Sequence, residues 1–203
     1  MLEGNLSIPR GAEGIVIFAH GSGSSRHSPR NKYVAQVLQN NNLSTLLFDL
    51  LTTEEEEEER WTRHLRFNIP LLARRLLNTT DWVKNNPEIK YLKIGYFGAS
   101  TGAAAALVAA ANQPGIVKAV VSRGGRPDLA GAMLEQVAAA TLLLVGEMDE
   151  TVIQLNKKAF EYLKKVKQKK IVIIPGASHL FEERGTLKEV ATLASNWFSK
   201  YLK

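Results

Sequence analysis

The sequence predicts an α/β protein: a doubly wound, mostly parallel sheet of about six to seven strands with helices on both faces. Three observations carry that expectation. Six short runs are apolar throughout, as suits strands covered on both sides, not on one. Helix-patterned stretches alternate with them, and strand–helix–strand order implies right-handed crossovers. The 203 residues hold no linker and no repeat of solenoid length, so positions 1–203 read as a single domain.

In chain order the strands are "GIVIFAH" (14–20), "STLLFDL" (44–50), "YLKIGYF" (91–97), "IVKAVVS" (116–122), "ATLLLVG" (140–146) and "KIVIIPG" (170–176). Helices are expected near 30–41, 54–64, 70–86, 100–112, 128–138, 151–167 and 186–202. The acidic run Glu54 to Glu59 follows Thr52 and Thr53 and complements the positive end of a helix dipole, which reads as a helix start and not as a metal site. Pro70 suits a first turn and Pro87 a stop. Alanines at 103–106, 109–111 and 138–140 point to tight helix packing, and Trp61, Trp82 and Trp197 are read as packing residues.

Composition narrows the partners. Hydrophobic residues are 45% of the chain and charged ones 23%, an ordinary globular balance. No run nears the roughly 18 apolar residues of a membrane span, and "MLEGNLSIPRGAEG" lacks the build of a secretory signal. Neither membrane nor export is expected. Cysteine is absent, which removes disulfides, cysteine metal sites and a thiol nucleophile and fits a reducing cytoplasm. Seven lysines between Lys157 and Lys170 supply much of the net charge of +6. They are interleaved with Leu155, Phe160, Leu163 and Val166 at helical spacing, so the segment reads as a solvated helix face leading into a strand, not a nucleic-acid surface.

In such a sheet the ligand site lies beyond the carboxyl ends of the strands, at the loops after Ala19, Phe97, Val145 and Ile174. "GASTG" (98–102) sits at one of them, between an apolar strand and a helix of small residues. The pattern Gly-x-Ser-x-Gly there fits a nucleophile on a strained turn, where side chains at 98 and 102 would collide with the adjacent strand or helix. Ser100 is the expected nucleophile. A serine hydroxyl needs a base, and of four histidines only His179 follows the last strand on a glycine-containing loop. The carboxylate that orients it is expected to be Asp149, three residues past Gly146, with Glu147 and Glu150 as open alternatives. The order Ser, Asp, His suits this arrangement. Backbone N–H groups of Thr101 and Ser22 are the expected oxyanion donors, the second from the loop "AHGSGSSRHSPRN".

These segments resemble the α/β-hydrolase superfamily over most of the chain, and more narrowly the small, capless dienelactone-hydrolase-like proteins, some of which occur with phosphoribosyltransferase domains. "FAHGSGSSRHSPRN", "GYFGASTGAAAAL", "VVSRGGRPDLA", "LLLVGEMDE" and "GASHLFEE" carry the likeness. It implies the minimal fold without a large cap, Ser100 as nucleophile, Asp149 as acid, His179 as base, and Ser22 and Thr101 as donors. Dienelactone hydrolases are expected to place a cysteine at the elbow, and this chain has none. The expected activity is therefore hydrolysis of small-molecule carboxylic esters by a serine esterase, without metal or organic cofactor. A non-catalytic module on the same fold, or an acyltransferase with the same residues, are the competing readings. Arg26, Arg30, Arg123 and Arg126 flank the site loops, and two roles stay open for them: holding an acidic group of the substrate, or pairing structurally, for instance with Asp128.

Overall fold

The computed structural model describes residues 2–203. Strands β1 (Gly4–Ser7), β2 (Gly14–Ala19), β3 (Leu43–Phe48), β4 (Lys93–Ala99), β5 (Val117–Arg123), β6 (Ala140–Gly146) and β7 (Lys169–Ile174) form one sheet in the order β1-β3-β2-β4-β5-β6-β7. All neighbours are parallel except β1 with β3. Helices α1 (Pro29–Asn40), α2 (Thr53–Thr62), α3 (Ile69–Asn85), α4 (Thr101–Asn112), α5 (Glu150–Tyr162) and α6 (Thr186–Leu202) complete the chain.

Alternation along each strand divides the interior in two. Tyr96 and Val120 face a core closed by Leu72 and Leu76 of α3, the alanines of α4 and Ala159 of α5. Phe97, Ala119 and Val121 face the other core, closed by Val34 and Leu38 of α1 and Val190, Ala194 and Phe198 of α6. Every residue of β2, β3 and β6 is buried, which explains why these strands read as unbroken apolar runs. The small residues of α4 let that helix lie close against the sheet, and ten of its positions are buried.

The acidic run does start a helix. Thr52 caps α2, its hydroxyl accepting from Glu55 N at 3.3 Å while the Glu55 carboxylate accepts from Thr52 N at 2.8 Å. Three elements differ from expectation. β1 falls outside the six apolar runs; it adds to the edge at β3, with Gly4 opposite Phe48 and Ser7 opposite Thr45. The segment expected as a helix over 128–138 is a 3-10 stretch, Pro127–Gln136, broken at Gly131 with φ 54°. α5 stops at Tyr162, although Leu163 and Val166 beyond it remain buried. Two tryptophans also differ: Trp61 is 87% exposed, because α2 turns no broad apolar face inward, and Trp82 lies half exposed on α3, off the face that buries Leu72, Leu76 and Val83. Trp197 does pack, donating its indole N–H to Ala140 O at 3.2 Å. Among the described residues no helix is long and apolar enough to cross a membrane.

Candidate active site

β4 ends at Ala99 and α4 begins at Thr101, so Ser100 takes the whole turn, with φ 50° and ψ −121°. A non-glycine residue rarely adopts that conformation and holds it only where its surroundings impose it. Here they do. Ser100 N donates to Arg123 O at 3.3 Å, and Ser100 O accepts from Ala103 N at 3.1 Å and Arg126 N at 3.0 Å. The flanking glycines are there for lack of room: a Cβ on Gly102 would stand 2.2 Å from Ala19 O, and one on Gly98 would stand 2.5 Å from Ala103 Cα.

The loop after β2 meets this turn. A Cβ on Gly21 would lie 3.1 Å from Ser100 Cβ, and the Ser22 hydroxyl lies 3.0 Å from the Thr101 hydroxyl. That contact joins residues 79 apart in the chain and brings the two expected oxyanion donors side by side. Among the described residues neither Ser22 N nor Thr101 N donates to a protein acceptor. Thr101 N belongs to a first helical turn, whose N–H groups have no intrahelical partner.

His20, which sequence reasoning left without a role, anchors the same loop. Its buried ring holds Gly21 O through Nδ1 at 3.0 Å and accepts Leu50 N–H at Nε2, also at 3.0 Å. This pair of bonds requires the neutral ring with its proton on Nδ1. Burial agrees, holding its pKa below the ordinary 6.5. Asn156 was missed likewise. From the buried face of α5 its side-chain amide donates to Gly125 O at 3.0 Å and Val152 O at 2.8 Å, steadying the turn after β5. A polar residue on an apolar helix face was the available signal for it.

Asp149 and His179 meet across the exits of β6 and β7. His179 Nδ1 lies 2.5 Å from Asp149 Oδ2, with the aspartate side chain 15% and the imidazole 40% exposed. The alternatives are occupied or turned away: Glu147 accepts from Gly176 N at 2.7 Å, and Glu150 is exposed in the first turn of α5. His179 Cε1 is 3.6 Å from where a Gly124 Cβ would stand. The imidazole therefore packs over the exit of β5, the strand end that also grips the Ser100 backbone. Ser100 and His179 share no hydrogen bond; such bonds often tighten only with substrate.

The four arginines separate. Arg26 donates from its backbone to Asp49 Oδ1 at 2.7 Å and pairs its guanidinium with Asp49 and Glu3. Arg30 reaches Glu182 at 2.9 Å, and Arg126 grips Asp128 with two bonds of 2.9 and 2.8 Å. Arg123 is buried, 7% exposed, and its Nε and Nη1 have no partner. A hydroxyl on a strained turn, an imidazole held by a carboxylate, and two free N–H groups beside that hydroxyl are together equipped for nucleophilic acyl transfer.

The dienelactone hydrolase family model matches residues 3–202. The crystal structure of a dienelactone hydrolase from Anabaena variabilis is 62% identical, with a TM-score of 0.96 over 100% of this chain and 93% of that one. An esterase from Pyrococcus furiosus shares the fold at 14% identity, with a TM-score of 0.74 over 100% of this chain and 92% of that one. Two Mycobacterium tuberculosis proteins that carry the name phosphoribosyl transferase are each 55% identical over 201 residues. These cover 99% of this chain but 44% of the relatives, so the chain spans less than half the length of the curated proteins it matches.

Proposed function

This chain belongs to the dienelactone hydrolase family, and from that premise we propose that it is a serine hydrolase of small-molecule carboxylic esters, working through an acyl-enzyme on Ser100. The observation that carries the reading is the 2.5 Å bond from Asp149 to His179, made at the same rim of the sheet as the strained Ser100. The carboxylate holds Nδ1–H, which leaves Nε2 as the basic nitrogen. The chain has no cysteine, so the hydroxyl is the nucleophile at this elbow.

In the first half-reaction Ser100 Oγ bonds to the ester carbonyl carbon while His179 takes its proton. The carbonyl oxygen becomes an oxyanion beside the N–H groups of Ser22 and Thr101. Collapse breaks the bond to the alcohol, which leaves with the proton from His179. Water then gives its proton to His179 and attacks the acyl carbon; the acid departs and Ser100 regains its hydrogen. Asp149 stays ionised throughout and stabilises the imidazolium in both halves.

A small p-nitrophenyl ester tests this directly. Wild-type protein is expected to release p-nitrophenol and to label at Ser100 with a fluorophosphonate. Ser100→Ala is expected to lose both, with turnover down by about a million-fold or to background. Full turnover in that variant refutes the assignment. The Mycobacterium tuberculosis relatives named phosphoribosyl transferase extend well beyond the 201 residues they share with this chain, and it is within this chain that the dienelactone hydrolase model matches residues 3–202.

A further inference from the structure

We propose that Glu56 sets the specificity of this site by receiving a primary ammonium, so that the ester cleaved at Ser100 carries one a short chain away from its scissile carbonyl. This substrate class rests on the ester-hydrolase reading and deepens it. A cleft adjoins the proposed oxyanion donors. Ser22 and Thr101 line it together with Leu50, Leu51 and Leu72, and Glu56 adds a carboxylate to that apolar wall. Glu56 is half-buried, so its charge is open to a molecule entering the cleft. The free space there suits about one water-sized group.

The acidic run of α2 divides by the direction each side chain takes. Glu54, Glu57 and Glu58 are exposed, while Glu55, Glu56 and Glu59 share the inward face. Glu55 pairs with Arg75 at 2.6 Å. Glu59 pairs with Arg66 and accepts Leu65 N–H at 2.7 Å. Glu56 is left over: among the described residues its carboxylate meets no cation and accepts no hydrogen bond.

Its surroundings sharpen that lack. Burial first, then the charges of Asp49 and Glu59, hold the Glu56 pKa above the ordinary 4.5, against the weaker pull of Arg66 and Arg60. The nearby guanidiniums are already engaged, Arg26 by Asp49 and Glu3 and Arg66 by Glu59. Arg123, the buried unpaired cation, ends β5 on the opposite face of the sheet, which carries Ala119 and Val121, and leaves Glu56 uncompensated. A carboxylate so placed gains most from a donor that brings its own positive charge. The space favours –NH3+, which is near water in size, over a quaternary ammonium, which is bulkier and has no N–H to give.

The test compares wild type with Glu56→Gln. Methyl esters of ω-amino acids, from β-alanine to aminohexanoate, are each paired with the ester that has methyl in place of ammonium, and acid release is followed in a pH-stat. Wild type is expected to favour the ammonium ester in kcat/KM at one chain length, and that length reports the reach from Ser100 to Glu56. In Glu56→Gln the preference is expected to fall by about 10- to 100-fold, the loss of a charge-assisted bond. Aminoalkyl and alkyl butyrates, compared in the same way, tell an ammonium on the alcohol half from one on the acyl half. In a separate arm, propylammonium chloride replaces sodium chloride at constant ionic strength; it is expected to raise the Tm of wild type and not that of the variant. Wild type without an ammonium preference in either series, or a preference that survives in Glu56→Gln, overturns the proposal. If wild type turns over none of the esters, the ester reading has failed and the melting arm decides on Glu56, equal shifts in both proteins overturning it. Should Glu56→Gln not fold, Glu56→Ala carries the same comparisons.

Discussion

Around Ser100 the chain is fixed by its backbone, and around His179 it is fixed by a side chain. The elbow has three backbone hydrogen bonds on Ser100 alone and two glycines whose neighbours stand within 2.5 Å of a missing Cβ. The imidazole depends on one bond to Asp149 and remains 40% exposed. The half that holds Ser100, the proposed nucleophile, is therefore part of the packing, and the half that holds His179, the proposed base, is an attachment to it. Damage to the first should appear as lost folding, and damage to the second as lost chemistry.

The largest expected effect probes the attachment. Asp149→Asn is expected to lower kcat by about ten-thousand-fold while stability stays within about 1 kcal/mol of wild type, measured by ester turnover beside urea unfolding. Unfolding of that variant would erase the distinction between the halves. Gly102→Ala probes the packing: its methyl would be driven into Ala19 O and His20 O, and a loss of about 3 kcal/mol or more is expected in the same unfolding experiment. A variant as stable as wild type would show that the elbow yields more readily than its contacts imply.

The smallest effect concerns the His20 anchor. Its folded pKa lies below 6.5, so below that pH the unfolded chain takes up the proton first. The contribution of His20 to stability is thus full above 6.5 and is lost as pH falls toward the folded value, by at most about 1.4 kcal/mol per pH unit. Urea midpoints compared at about pH 7.5 and about pH 5.5 are expected to differ less in His20→Gln than in wild type. An identical difference would leave the loop anchored by something else.

Most strands were readable because burial on both faces writes itself into composition, as in β2 and β6, and Gly98, Ser100 and Gly102 were readable because sterics allow few residues there. What escaped depends on partners distant in sequence. β1 is four residues long and exists through its pairing with β3. The 3-10 stretch replaces a helix because Gly131 adopts a positive φ that alanine-rich neighbours do not announce. Asp149 and Glu147 differ in which loop each reaches, His179 in one case and Gly176 in the other, and spacing alone does not carry that difference. Arg26 gave no hint of Asp49 and Glu3, each 23 positions away.

The two outer strands have a consequence for the molecule in company. At one margin of the sheet β1 exposes a ladder of only four residues, and at the other β7 begins with Lys169 and Lys170, the first of which turns its ammonium to the Phe160 and Leu163 carbonyls. A short rung on one side and clustered positive charge on the other give an approaching strand little to zip onto, which guards a hydrophobic seven-stranded sheet against fibrillar growth at high concentration.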